Sequence, residues 1–266
     1  DEKVMISHHQ SCVFVHIPKT AGQSVEHVFL GLVGLTWETR APLLLRFNDR
    51  PELGPPSLAH LTAREYTGLK YMTGEQFDSY FKFAFVRNPW ARAVSIWKYM
   101  REGRTLPFRQ FVRERLAEDL WRDRYWFVRP QCDFVCGPDG ELLVDFVGRF
   151  ERLQEDFDTI CGRLGLQPQR LPRVNESRAP GDDGAASGPL ALAKRTVKRI
   201  VAPAPKIETF GSIGEYYDEP TLEIVGRLYR QDIERFGYGF PDIHPAAPFE
   251  RASADANSKL QAPDER

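Results

Sequence analysis

Cys12-Val13-Phe14-Val15-His16-Ile17-Pro18-Lys19-Thr20-Ala21-Gly22-Gln23-Ser24 is the stretch that decides the fold. Its first four residues form a continuous apolar run rich in β-branched and aromatic side chains, as a strand buried on both faces requires. Beyond the turn from Pro18 to Gly22, the residues Val25, Val28, Phe29 and Leu32 fall at i, i+3, i+4 and i+7 and mark one apolar helix face. The unit is strand, loop, helix. Its loop brings Lys19, Thr20, Gly22 and Ser24 to the start of the helix, where free backbone N–H groups and the positive end of the dipole favour a phosphate or sulfate. The loop lacks the first glycine of G-x-x-x-x-G-K-[ST]. A plain strand-to-helix turn with a solvated lysine is the competing reading.

A second unit follows. Phe83-Ala84-Phe85-Val86 is again a buried-strand run, and Asn88-Pro89 then gives an N-cap with proline at the first helical position of a helix reaching about Met100. Arg87 stands at the end of that strand. Ser95 lies about two turns into the helix, a rise of ~10 Å from the cap and on nearly the same face, so the Arg87 fork and the Ser95 hydroxyl can meet one phosphate. The alternative is an Arg87 salt bridge with Ser95 a bystander. Between the two units, Thr62-Ala63-Arg64-Glu65 fits a capping box, with His60 in the loop ahead of it. Leu142-Leu143-Val144 reads as a further strand. Leu153, Phe157, Ile160, Cys161 and Leu164 read as a helix face, and Leu222, Val225, Leu228, Tyr229, Ile233 and Phe236 as one closing helix.

Alternating strands and helices predict an α/β domain whose central parallel sheet is flanked by helices, with ligands at the carboxyl ends of the strands. The length of 266 residues suits one such core, placed at 1–240. Residues 179–212 break the rhythm and read as a mobile insertion whose basic half could cover the site or touch a membrane surface; 241–266 reads as a disordered tail. With 36 Lys+Arg against 37 Asp+Glu, no global charge suggests a nucleic-acid partner, so any anion site is local. The apolar stretch from Val28 to Trp37 is far short of the ~20 residues of a membrane helix. The cysteine spacing fits neither a disulfide framework nor a zinc ribbon, so reduced thiols are expected. A chain beginning at Asp1 leaves room for a removed signal or anchor.

Taken together, the run from Phe14 to Ser24 and the run Phe85-Val86-Arg87-Asn88-Pro89-Trp90-Ala91-Arg92-Ala93-Val94-Ser95 resemble the two donor-binding motifs of PAPS-dependent sulfotransferases, closest to the carbohydrate-type family 2 with its bacterial members. The likeness extends to the segment His60 to Glu65, to Phe150-Glu151-Arg152-Leu153 and to Arg235-Phe236-Gly237-Tyr238. It implies a P-loop-like three-layer domain. It also implies that Lys19, Thr20, Ala21, Gly22, Gln23 and Ser24 hold the 5′-phosphosulfate of PAPS, that Arg87 and Ser95 hold its 3′-phosphate, and that PAP leaves as product. Gln23 stands where a small hydroxyl residue is usual, and residues 179–212 do not align.

Sulfuryl transfer to an alcohol needs a base and a cation near the departing phosphate, and no metal is obligatory. Lys19 suits the cation role. Of the six histidines, His8, His9, His27 and His244 read as structural or solvated and His16 as packing beside the loop. His60 remains as the base, where the family's catalytic histidine also falls; a second cap or surface residue is its bland reading. The expected acceptor is a carbohydrate or glycan-like hydroxyl, in a bacterial cytoplasmic enzyme unless an anchor preceded the chain. The rivals are a small-molecule kinase or NTPase, with Asp145 as a magnesium ligand, and a non-catalytic nucleotide- or glycan-binding protein.

Overall fold

The computed structural model describes residues 5–41, 44–100, 105–174, 210–240 and 248–250. Five strands form one sheet in the order β1 (Ile6–Ser7), β2 (Cys12–Val15), β3 (Phe81–Val86), β4 (Phe146–Arg149), β5 (Phe249–Glu250). The central three are parallel, with Val15 opposite Ala84 and Val86 opposite Arg149. Apart from Phe81 at the start of β3, their side chains are buried, as helices on both faces of a sheet demand. Both edges are antiparallel instead. β1 folds straight back onto β2. β5 lies inside the stretch expected to be a disordered tail, where Phe249 packs edge-on to Phe236 at 5.5 Å.

Two further expectations are corrected. The third parallel strand begins at Phe146, beyond Leu142-Leu143-Val144. Leu142 bridges to Cys136 and Leu143 donates to the Val135 carbonyl at 2.8 Å, so this apolar run packs as a return turn outside the sheet. The closing helix is two, Glu219–Leu228 and Arg230–Phe236, broken at Tyr229 with φ −114° and ψ 26°. The Tyr229 hydroxyl donates to the Val128 carbonyl at 2.8 Å, and the break turns Asp232 inward.

The helices α1 (Gly22–Leu32), α2 (Ala63–Gly68) and α4 (Pro89–Tyr99) begin as their sequences predict, and a further helix, α3 (Gly74–Ser79), stands between α2 and β3. Thr62 and Thr73 each close a reciprocal capping box, and the Asn88 side chain accepts from the Trp90 and Ala91 amides. One apolar cluster surrounds the sheet. A second, built on Trp97, Phe108, Phe111 and Tyr229, joins α4 to the helical stretch 108–123 and to Glu219–Leu228. Most of the expected insertion, residues 179–209, lies outside the described residues, as do 241–247 and 251–266.

Candidate active site

Parallel pairing of β2 with β3 sets the loops after Val15 and Val86 side by side at one end of the sheet. In the first loop Lys19 and Ala21 have φ of 70° and 68°, two left-handed non-glycine residues separated by Thr20. Each costs ~1–2 kcal/mol. Backbone turns through left-handed residues are where N–H groups can converge on an anion. Ala21 is the N-cap of α1, and its side chain makes no capping hydrogen bond. The Thr20 hydroxyl donates to the Ile17 carbonyl at 2.9 Å and is committed within the loop. Ser24 is buried and its amide donates to the Ala21 carbonyl at 3.0 Å. The Gln23 carbonyl accepts from His27 Nδ1 at 2.7 Å.

Gly22 has a reason the sequence did not reveal. A Cβ there would stand 2.0 Å from Cδ2 of His16, so the imidazole occupies the space a side chain would need. His16 is held in turn by Glu26, with Nδ1 at 2.5 Å from Oε1 and both side chains buried.

Lys19 and Arg87 come together. The half-buried Lys19 rests its Nζ 4.2 Å from the Tyr99 ring centroid, and burial, with the nearby Arg87 charge, lowers its pKa to about 8. Arg87 donates from Nη1 to the Lys19 carbonyl at 3.3 Å and lies over the Phe150 ring at 3.9 Å. Its Nε is buried without a hydrogen-bond partner among the described residues, and Arg87 forms no ion pair among them. Burial pulls its pKa down to about 10, against the opposing pull of Glu151 and Tyr238. Ser95 is half-buried on α4, and no hydrogen bond joins it to Arg87.

His60 lies in the turn Leu58–His60, half-buried. Its Nδ1 is 2.9 Å from the His16 carbonyl; a carbonyl only accepts, so the proton sits on Nδ1 and the lone pair on Nε2. The two imidazoles meet edge-on at 4.5 Å, with Trp126 at 6.0 Å. Burial, with the His16, Arg92 and Lys19 charges, pushes the His60 pKa well below the ordinary histidine value. The result is a neutral imidazole with a fixed tautomer, electrostatically within reach of Lys19.

Several supporting residues were not anticipated. Arg92, fully buried, donates to the carbonyls of Pro18 at 3.0 Å, Arg129 at 2.9 Å and Phe127 at 3.2 Å, tying the first loop to the 127–129 segment. Its signal was a charged residue on the apolar face of α4. Gln131 brackets Arg87, accepting its N–H and donating to its carbonyl, each at 2.8 Å. Glu151 accepts the Asn88 N–H at 2.7 Å. Neither partner has a local sequence signal, since each lies tens of residues away. Asp145, the candidate magnesium ligand, accepts from the Lys82 amide at 2.8 Å and pairs with its ammonium at 3.0 Å, near the opposite end of the strands. Among the described residues no group of three or more His, Cys, Asp or Glu is placed to hold a metal, and no helix is long and apolar enough to cross a membrane.

An uncharacterized protein from Archaeoglobus fulgidus is 31% identical over 102 residues, which span 37% of this chain and 79% of the relative. No solved structure matches the chain significantly. The family model of the sulfotransferase family matches residues 2–239, including both loops, His60 and the segments that brace them. The chain therefore belongs to sulfotransferase family 2, whose members transfer sulfuryl groups.

Proposed function

We propose that the protein moves the sulfuryl group of PAPS to a hydroxyl of a carbohydrate or glycan-like acceptor and releases PAP. The observation that carries this reading is Arg87. A half-buried arginine whose sealed Nε has no hydrogen-bond partner among the described residues, set against the Lys19 loop, offers donors to an anion. Beside it, the uncapped start of α1 and the alternating backbone of residues 19–21 supply N–H donors for a second anionic group. Two anion-binding points this near each other suit a nucleotide phosphorylated at both ends, with Lys19 to Ser24 on the 5′ side and Arg87 and Ser95 on the 3′ side.

PAPS brings an activated sulfuryl group and its own leaving group. His60 is arranged to take the acceptor proton at Nε2, because the Nδ1 proton is spent on the His16 carbonyl. The Lys19 ammonium opposes charge that develops on the departing phosphate. Trp126 beside His60, and the exposed Tyr99 ring under Lys19, offer apolar faces to an acceptor ring.

Transfer of label from PAPS to a panel of saccharides tests this directly: sulfated product with matching PAP is expected. No product from any acceptor would favour the binding-protein reading. The magnesium ligand suggested for the kinase reading, Asp145, is paired with Lys82 away from the loops. Thermal shift separates the two: PAP should stabilise the fold without Mg²⁺, whereas a kinase would prefer Mg·ATP.

A further inference from the structure

Cys132 and Cys136 stand at the two ends of the short helix Cys132–Val135, one turn apart and on the same face. Both line a cavity of about 420 Å³ together with Gly140, Gln231, Glu234 and Arg235. The Cys132 thiol, with Arg235 nearby, draws the Cys136 pKa downward, whereas the Cys132 pKa is raised by the Cys136 partner and by burial. All four cysteines are free and buried; Cys136, at 8% exposure, is the more open of this pair, and Cys12 and Cys161 do not line the cavity.

The pair is mechanically connected to the site. The Cys132 amide donates to Asp232 Oδ1 at 2.8 Å and the Gln131 amide to Asp232 Oδ2 at 2.8 Å. Gln131, immediately before Cys132, grips both the N–H and the carbonyl of Arg87. Residues one turn apart in a helix have Cβ atoms ~5–6 Å apart, and a disulfide needs about 3.5–4.5 Å, so bridging these cysteines must contract the helix by roughly an ångström or more. Gln131 is where that movement enters the Arg87 bracket.

We propose that Cys132 and Cys136 form a reversible dithiol–disulfide pair, oxidised by low-molecular-weight disulfides that enter this cavity, and that bridging loosens the Gln131 grip on Arg87 and weakens donor binding. Cys136 sulfur attacks the small disulfide, expelling one thiol and leaving a mixed disulfide. Cys132 sulfur then attacks Cys136 and expels the second. The small disulfide is reduced to two thiols, which carry the two cysteine protons, as the pair is oxidised. The consequence for donor binding rests on the proposed function; bridging and loosening do not.

The test treats the full chain with oxidised glutathione and reads three quantities. Peptide mass should show a Cys132–Cys136 link with loss of two hydrogens, reversed by dithiothreitol. Hydrogen exchange at the Arg87 amide should quicken on oxidation, and PAP affinity should fall roughly 2- to 30-fold. Cys136→Ser and, independently, Cys132→Ala should abolish all three responses. A stable glutathione adduct without an internal link, or a link that leaves Arg87 exchange unaltered, overturns the proposal. If PAP binds neither form, the reading of Arg87 as a phosphate ligand falls, while mass and exchange still decide the thiol pair.

Discussion

The helices that follow the two central strands begin in opposite ways. α4 is closed by its own chain: Asn88 caps its first amides, Pro89 removes one of them, and Glu151 holds the cap from outside. α1 is left open, with a left-handed alanine where a capping side chain would be. The second loop accordingly contributes a side chain, Arg87, held by distant Gln131, and the first contributes backbone amides and Lys19, held by their own strained geometry. The difference marks the start of α1 as the helix terminus at which the proposed 5′-side anion would sit.

The contrast can be broken at His60, which hangs from the first loop by its bond to His16. His60→Ala should lower turnover by ~10²–10⁴-fold in a PAPS assay with PAP affinity unchanged; intact turnover removes it as base. In the second loop, Gln131→Leu abandons the N–H and carbonyl of Arg87, at about 1–3 kcal/mol for each buried group left unpaired, read from urea unfolding. Gly22→Ala forces a methyl into the His16 imidazole and should cost about 1–3 kcal/mol in the same experiment. A wild-type midpoint would show that the His16 ring moves freely.

The pH profile sharpens the electrostatics. Lys19 is cationic below its pKa of about 8, so kcat/KM should decline as pH rises through that value. His60 stays neutral well below pH 6.5, so no loss is expected on descending through that range. An acid limb centred at 6.5 would contradict the lowered pKa and fixed tautomer of this imidazole. Smallest of all, Ala21→Gly relieves a left-handed alanine worth ~1–2 kcal/mol but adds ~0.5–1 kcal/mol of unfolded-state freedom, a net gain of about 0–1.5 kcal/mol by thermal melt.

What was legible follows the same division. Local patterns announced β2, β3, the Thr62 box and the Asn88 cap, because each depends on residues within a turn of one another. Lys19, Arg87 and His60 were singled out for that reason and through their resemblance to known motifs, and the structure sets Arg87 against the Lys19 carbonyl and His60 against the His16 carbonyl. Gln131, Glu151 and the His16–Glu26 pair were not, because tertiary contact alone gives them their roles. Leu142–Val144 misled because an apolar triplet says that a segment is buried without saying whether it joins a sheet. The break at Tyr229 was hidden because the apolar spacing continues through it.

The central claim is that the first loop and Arg87 hold opposite ends of one nucleotide, and calorimetry on four combinations tests it most directly. PAP and 5′-AMP are titrated into the wild-type chain and into Arg87→Ala, without Mg²⁺. PAP should bind the wild type more tightly than 5′-AMP, and Arg87→Ala should cost ~10–100-fold for PAP while leaving 5′-AMP nearly unaffected. Equal affinity of the wild type for both nucleotides, or equal losses for both in Arg87→Ala, would contradict it.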